Sequence, residues 1–305
     1  YSRNRSWVTK LGVPTYFFGA GNQGNTTMFK VAQGERYGTF YGHKFVTTCS
    51  QLPAPFNGDC GGPASSYQLN DEGFIVWVGA GNSWHDGITK NLWETSNTTG
   101  AFSVPGTNVI ENWGMPILIR NKGVAALLAL GNALPNFQFA VTQDVTWKRF
   151  SLYALVDASV GQQVFDEGFH WAHLDFLSHD VDQTGKSLAT AKPIGYYWRT
   201  NATDGFTGLG GYYDQLGPTN YSVEDASYAK LRELSLSYRI GPISGTGDWS
   251  VSLIGRNLFT LTGYRGFDPE VGIAGGEGNS AALNAVDDFT FPNLRSFTLA
   301  VRSSF

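Results

Sequence analysis

From Pro292 to Phe305 the chain obeys a period of two. Phe297, Leu299, Val301 and Phe305 fall on one parity, and Thr298, Ala300, Arg302 and Ser304 on the other. Only an extended strand sends alternate side chains to opposite faces, so this segment has one apolar face and one polar face. Chain termini usually lie loose at a surface. A closing strand that keeps a bare apolar row needs a solvent for that row, and hydrocarbon on one side with water on the other meets the need.

The pattern recurs upstream. Over Asn136–Lys148, Phe137, Phe139, Val141, Val145 and Trp147 alternate with Gln138, Thr142, Asp144 and Thr146. After a tight Lys148-Arg149 turn, Phe150, Leu152, Ala154, Val156, Ala158 and Val160 alternate with Ser151, Tyr153, Asp157 and Ser159. Ser227–Ile240 puts Leu234, Leu236, Tyr238 and Ile240 on one face, with Arg232 at the same parity. Glu233, Ser235, Ser237 and Arg239 face the other way. A compact Gly241–Gly247 turn leads to Trp249, Val251, Leu253 and Phe259, alternating with Ser250, Ser252, Arg256 and Leu258. Each strand runs about 11–14 residues, enough to cross a hydrocarbon layer at a tilt.

Short and long connections alternate. The two tight turns belong to one rim, and the long segments 49–135, 162–226 and 262–291 to the other. A membrane barrel has that asymmetry, with tight periplasmic turns and long external loops. Inward-facing Asp157, Glu233 and Arg239 fit a wet lumen. Tyr1–Leu11 and Tyr37–Thr48 also read as strands, and Phe74–Val78 as part of a small hairpin within the first long segment. Tyr1 is no start residue and no signal peptide is present, so the expectation is a fragment of a longer protein.

Composition agrees. Charged residues are 15% of the chain, against roughly 25% in an average soluble domain. Aromatics are 14%, with 38 glycines. These figures suit a barrel with an aromatic girdle; they also suit a secreted β-sandwich that binds glycans, a lectin-like domain. A mean hydropathy of -0.18 is compatible with strands that are half polar. The net charge of -4 and pI near 5.7 argue against a nucleic-acid partner. The best apolar run, Val124–Leu130 between Gly123 and Gly131, is too short for a membrane helix, so any crossing must be made by strands.

The two cysteines, Cys49 and Cys60, flank a Pro-, Gly- and Asn-rich loop. They are expected to form a loop-closing disulfide in an oxidising compartment, with two free thiols as the bland alternative. One such pair is not a zinc site. His170, His173 and His179 lie near Asp175 and Asp180, but polar surface is the commoner role of loop histidines, and no metal is expected. Asp166, Glu167, Asp175, Asp180 and Asp182 are scattered loop acids, not the rigid pair a glycosidase needs. With no nucleophile, metalloprotease or phosphate-loop motif, neither an enzyme nor a cofactor is expected. Tyr196, Tyr197, Trp198, Tyr212 and Tyr213 form the weak candidate for substrate binding, because aromatic faces suit sugar rings and partner surfaces. Trp84, Trp93 and Trp113 raise the same question. Loop packing is the commoner use of such residues, and Trp147 and Trp249 beside the tight turns fit an interfacial girdle.

Five stretches together resemble the SusC/RagA-type TonB-linked outer-membrane proteins. They are Gly34–His43, Leu134–Phe137, Asp225–Tyr238, Gly255–Thr260 with Gly263–Glu270, and Asp287–Thr298, in matching order and rough spacing. Two departures stand out: a longer Trp-rich segment, Gly61–Leu130, before Leu134-Pro135-Asn136-Phe137, and the lack of the family's plug, TonB-contacting segment and N-terminal domain.

The resemblance implies an all-β fold, an antiparallel transmembrane β-barrel present as an open meander sheet of about eight to ten strands. Residues 1–305 would be the C-terminal part of a TonB-dependent receptor. It implies a cell outer membrane of a Gram-negative-type bacterium and import of an oligosaccharide or peptide. The implied partners are the TonB complex, through the missing plug, a SusD-like surface lipoprotein, outer-membrane lipid and the barrel-assembly machinery. The last would read the closing strand at Phe297, Leu299, Val301 and Phe305.

Overall fold

The computed structural model describes residues 1–19, 28–85, 101–103, 110–112, 114, 116–122, 124–175, 177–187, 191–192, 218–270 and 285–304. The N-terminal portion holds short strands: β1 (Tyr16–Phe18), β2 (Phe29–Val31) and β3 (Thr39–Gly42). Three hairpins follow: β4 (Tyr67–Leu69) with β5 (Ile75–Trp77), β6 (Ala101–Ser103) with β7 (Ile110–Asn112), and β8 (Arg120–Asn121) with β9 (Val124–Ala125). β10 (Leu128–Asn132) returns to β3 and completes a four-stranded sheet.

Tyr1–Leu11 does not form the expected strand. Ser2 and Trp7 make single bridges, to Gln138 and Arg36. The reason lies in the sequence: neither parity of Ser2-Arg3-Asn4-Arg5-Ser6 offers an apolar row to pack. Tyr37–Thr48 keeps a continuous strand only over β3, and its further bridges, at His43 and Phe45, go to separate partners.

The C-terminal portion runs β11 (Phe137–Trp147), β12 (Phe150–Val160), β13 (Gln163–Asp166), α1 (Glu167–Leu174), β14 (Val223–Asp225), β15 (Tyr228–Ile243), β16 (Gly247–Thr262), β17 (Val286–Asp287) and β18 (Ser296–Ser304). The long strands make one open antiparallel meander, β11-β12-β15-β16-β18. Its register aligns the apolar residues into rows across the whole sheet. One row is Val145, Leu152, Leu236, Leu253 and Leu299; another is Trp147, Phe150, Tyr238, Val251 and Val301. The opposite face carries Thr146, Ser151, Ser237, Ser252 and Ala300 in one row. The apolar rows stand open: Leu299 is 71% exposed, Leu253 54% and Val145 47%. A β-sandwich would bury such rows under a second layer; here no described layer covers them. Among the described residues no helix is long and apolar enough to cross a membrane.

The turns at one end are tight. Trp147 pairs with Phe150 across Lys148, whose φ is 56°, and Arg149. The second turn is shorter than Gly241–Gly247: β15 continues to Ile243, which pairs with Gly247, and Gly245 supplies a φ of 78° between them. At the other end the segment 162–226 contains regular structure where a loop is expected. β13 pairs antiparallel with β14 and parallel with β17. α1 starts because the Asp166 carboxylate accepts the Phe169 N–H, capping the first turn. This small sheet shares a core with the N-terminal sheet through Phe29, Phe40, Phe165, Val223 and Val286.

Candidate functional site

The polar face of the meander ends, on the long-connection side, in a chain of charges. Lys230 on β15 is 2% exposed, and its Nζ donates to Asp268 Oδ1 at 2.5 Å and to Glu270 Oε2 at 3.1 Å. Arg232 Nε and Nη2 donate to Asp157 Oδ1 and Oδ2 at 2.5 and 3.1 Å, and its Nη1 and Nη2 to Glu270 Oε2 and Oε1 at 2.6 and 2.5 Å. Glu270 therefore bridges two cations. Asn293 ties in the approach to β18: its N–H donates to Asp268 Oδ2 at 3.1 Å and its side-chain amide to Glu270 Oε2 at 3.1 Å. The Tyr228 ring lies against both cations, 5.2 Å from Lys230 Nζ and 5.7 Å from the Arg232 guanidinium carbon.

Burial works to raise the Asp268 and Glu270 carboxyls. For Asp268 the hydrogen bonds from Lys230 and two backbone N–H groups outweigh it, and for Glu270 those from Arg232 and Lys230 do. Both are held below their ordinary values. Arg232 reaches this side because β15 carries an extra residue between its pairs to β12, Leu155–Glu233 and Val156–Leu231. The bulge shifts the alternation by one, so Arg232 joins the polar face, not the apolar face that strict parity gives it.

A second cluster surrounds the start of α1. Burial pushes the Asp166 carboxyl up to about 6, against the Phe169 hydrogen bond. Burial, with the charge of Asp288 adding, pushes Glu167 up to about 7. Asp287 is raised by burial even though the Tyr264 hydroxyl donates to it at 2.8 Å. The Arg265 guanidinium stacks 3.7 Å from the Phe169 ring centroid and donates from Nε to Glu224 Oε1 at 2.8 Å. His173 is buried in the helix. Its Nδ1–H donates to the Phe169 carbonyl at 2.8 Å, and Nε2 lies 3.2 Å from Asp180 Oδ2. Burial lowers its pKa despite those partners. His170 and His173 are thus helical residues, where a loop is expected, and His179 opens a short 3-10 turn. Among the described residues no group of three or more His, Cys, Asp or Glu is arranged to hold a metal ion.

The expected aromatic candidates separate. Tyr196, Tyr197, Trp198, Tyr212 and Tyr213, with Trp93 and Trp113, lie outside the described residues, as does Phe305. Trp84 is 2% exposed and presents no face to a ligand. Cys49 and Cys60 are bridged, with Cα atoms 5.6 Å apart, beside a small core of Val46, Leu52, Tyr67, Ile75 and Ile117. Phe297, Leu299 and Val301 lie on the open apolar face of β18. Trp147 stacks at 6.5 Å on Phe150, which lies 4.8 Å from Tyr238, forming an aromatic ladder beside the tight turn. Sequence reasoning missed the Lys230–Asp268–Glu270–Arg232 chain as a unit, although all four residues lie in the family-like stretches.

No family model matches the chain. Two curated proteins of Formosa agariphila are similar to it. TonB-dependent receptor P3 is 26% identical over 183 residues, 58% of this chain and 17% of its own length. TonB-dependent receptor P26 is 24% identical over 184 residues, 58% of this chain and 18% of its own length. The chain thus spans less than a fifth of either relative. Solved structures of the RagAB peptide transporter and of the RagAB peptide importer in its closed-closed state align over 98% of this chain and 26% of theirs. Both are 18% identical, with TM-scores of 0.47 and 0.46. In sequence the chain is thus similar to two curated TonB-dependent receptors, and its all-β meander is apolar on one face and polar on the other.

Proposed function

We propose that this chain forms barrel wall and external loops of an outer-membrane importer of the SusC/RagA type, taking up a large nutrient, an oligosaccharide or a peptide. The observation that carries the reading is the set of apolar rows running five strands wide and left open on one side. Acyl chains are the solvent such a face fits. The polar face then looks into the lumen, the tight turns lie on the periplasmic rim, and segments 49–135, 162–226 and 262–291 lie outside. The protein does no bond chemistry. A SusD-like lipoprotein would cover the external loops, TonB would act through a plug, and the barrel-assembly machinery would insert the wall from β18.

The experiment is cysteine accessibility in the complete receptor in intact outer membranes, on a background with Cys49 and Cys60 replaced by serine. Leu299→Cys is expected to resist a water-soluble maleimide, and its neighbour Thr298→Cys to react. Equal labelling of the two would sink the membrane-wall reading. Uptake that persists without TonB would sink the importer reading.

A further inference from the structure

Near the tight turns, the polar face of the meander encloses a groove of about 300 Å³. Four serines, Ser151, Ser237, Ser250 and Ser304, line it together with Tyr238 and Trp249, and so do three arginines, Arg149, Arg239 and Arg302. The register brings the arginines together. Arg239 pairs with Ser250 and Ser250 with Arg302, while the Arg239 N–H donates to the Arg149 carbonyl at 2.8 Å. The three therefore follow one row across strands spaced about 5 Å apart. The small Ser250 leaves an opening between Arg239 and Arg302.

Each guanidinium offers five donors, no acceptor and a permanent charge. Their acceptors here are few. Arg239 Nη2 donates to Asp248 Oδ2 at 3.0 Å, and Arg149 Nη1 donates to the Ile240 carbonyl at 3.0 Å. Arg302 has no side-chain hydrogen bond or ion pair among the described residues. Asp248 is the only carboxylate among the described lining residues. Like charges on neighbouring strands repel, so the row is short of anions.

We infer that this groove is a carboxylate-binding site on the lumenal wall. Its position in the lumen rests on the barrel reading above; its chemistry does not. The Asp248–Arg239 pair is an internal example of the contact, guanidinium forks match carboxylates geometrically, and the serine hydroxyls add neutral donors. Two sources carry the same group: an acidic solute moving through the lumen, and an acidic side chain of polypeptide that fills it.

The test uses the complete receptor in detergent, with Arg302→Gln and the double variant Arg239→Gln/Arg302→Gln. Arg302→Gln removes no side-chain partner among the described residues, so it keeps the question open if the double variant fails to fold. Tri-glutamate and tri-glutamine peptides are titrated by calorimetry, and melting is followed at low salt and in 1 M NaCl. For a solute site, tri-glutamate binds, tri-glutamine does not, and Arg302→Gln weakens binding at least about tenfold. For a site filled by polypeptide, tri-glutamate does not bind, and Arg302→Gln melts lower than wild type only at low salt. If Arg302→Gln changes neither tri-glutamate binding nor low-salt melting, the proposal is overturned. The Leu299→Cys protection experiment reports on the barrel reading separately.

Discussion

Arg232 and Asp157 meet side by side on the polar face of β15 and β12, with Arg232 Nε 2.5 Å from Asp157 Oδ1 and Nη2 3.1 Å from Oδ2. Counting in twos from Leu234 would send Arg232 into the apolar row. One bulged residue reverses it. A guanidinium that would otherwise stand in the apolar row is placed where two carboxylates accept from it.

Lys230 and Asp268 are both buried, with side chains 2% and 6% exposed. Lys230→Met leaves Asp268 short of its cation and is expected to destabilise the receptor by about 3–5 kcal/mol. Adding Asp268→Asn should recover most of that loss, because no buried charge is then left over. Urea unfolding in detergent micelles measures both. A double variant no more stable than Lys230→Met would contradict the pairing.

Position across the sheet decides the cost of a charge. Leu253→Arg lies in the middle of an apolar row and is expected to cost about 2–4 kcal/mol for folding into vesicles. Ser252→Arg, one residue away on the polar face, is expected to cost less than about 1 kcal/mol. Refolding titrations into lipid vesicles give both numbers.

Stability around α1 should fall as pH rises. Asp166 and Glu167 have folded values raised to about 6 and about 7, from ordinary values of 3.8 and 4.5. Between those limits the folded state binds more protons than the unfolded state. The contribution is complete below about pH 4 and is lost as pH passes 6 to 7, on the order of 3 kcal/mol for each group. Hydrogen exchange of the α1 amides, corrected for intrinsic rate, should be slower at pH 5 than at pH 8. Asp166→Asn with Glu167→Gln should flatten the difference.

Reduction should act locally. The Cys49–Cys60 bridge closes a loop with a sequence separation of 11, which corresponds to about 2–3 kcal/mol. Cys49→Ser/Cys60→Ser is expected to speed proteolysis within residues 49–85 and to leave exchange protection of β15 and β16 unchanged. Faster exchange in β15 would show that the loop and the wall are coupled.

The meander was legible because its signal is repeated. Phe150, Leu152, Ala154 and Val156 state their face several times over, and a strand has one way to satisfy that statement. Arg232 was misplaced because a bulge leaves no mark in parity; it becomes visible only when β12 supplies the opposing register. α1 was hidden by its surroundings. Asp166 followed by Glu167 is a helix-start signal, but the Gly and aromatic residues around it suggest a loop. The ion chain lay in plain sight as residues, yet Lys230 and Asp268 are 38 positions apart and meet only through the fold. Trp84 could not be assigned to a core or a surface until its neighbours were in place.

Asn293 hangs from the same two carboxylates that hold Lys230 and Arg232. The final strand and the middle of the wall therefore share one fastening. A pull on the approach to β18 cannot be absorbed there alone; it loads Asp268 and Glu270 together, and through them Lys230 and Arg232 of β15.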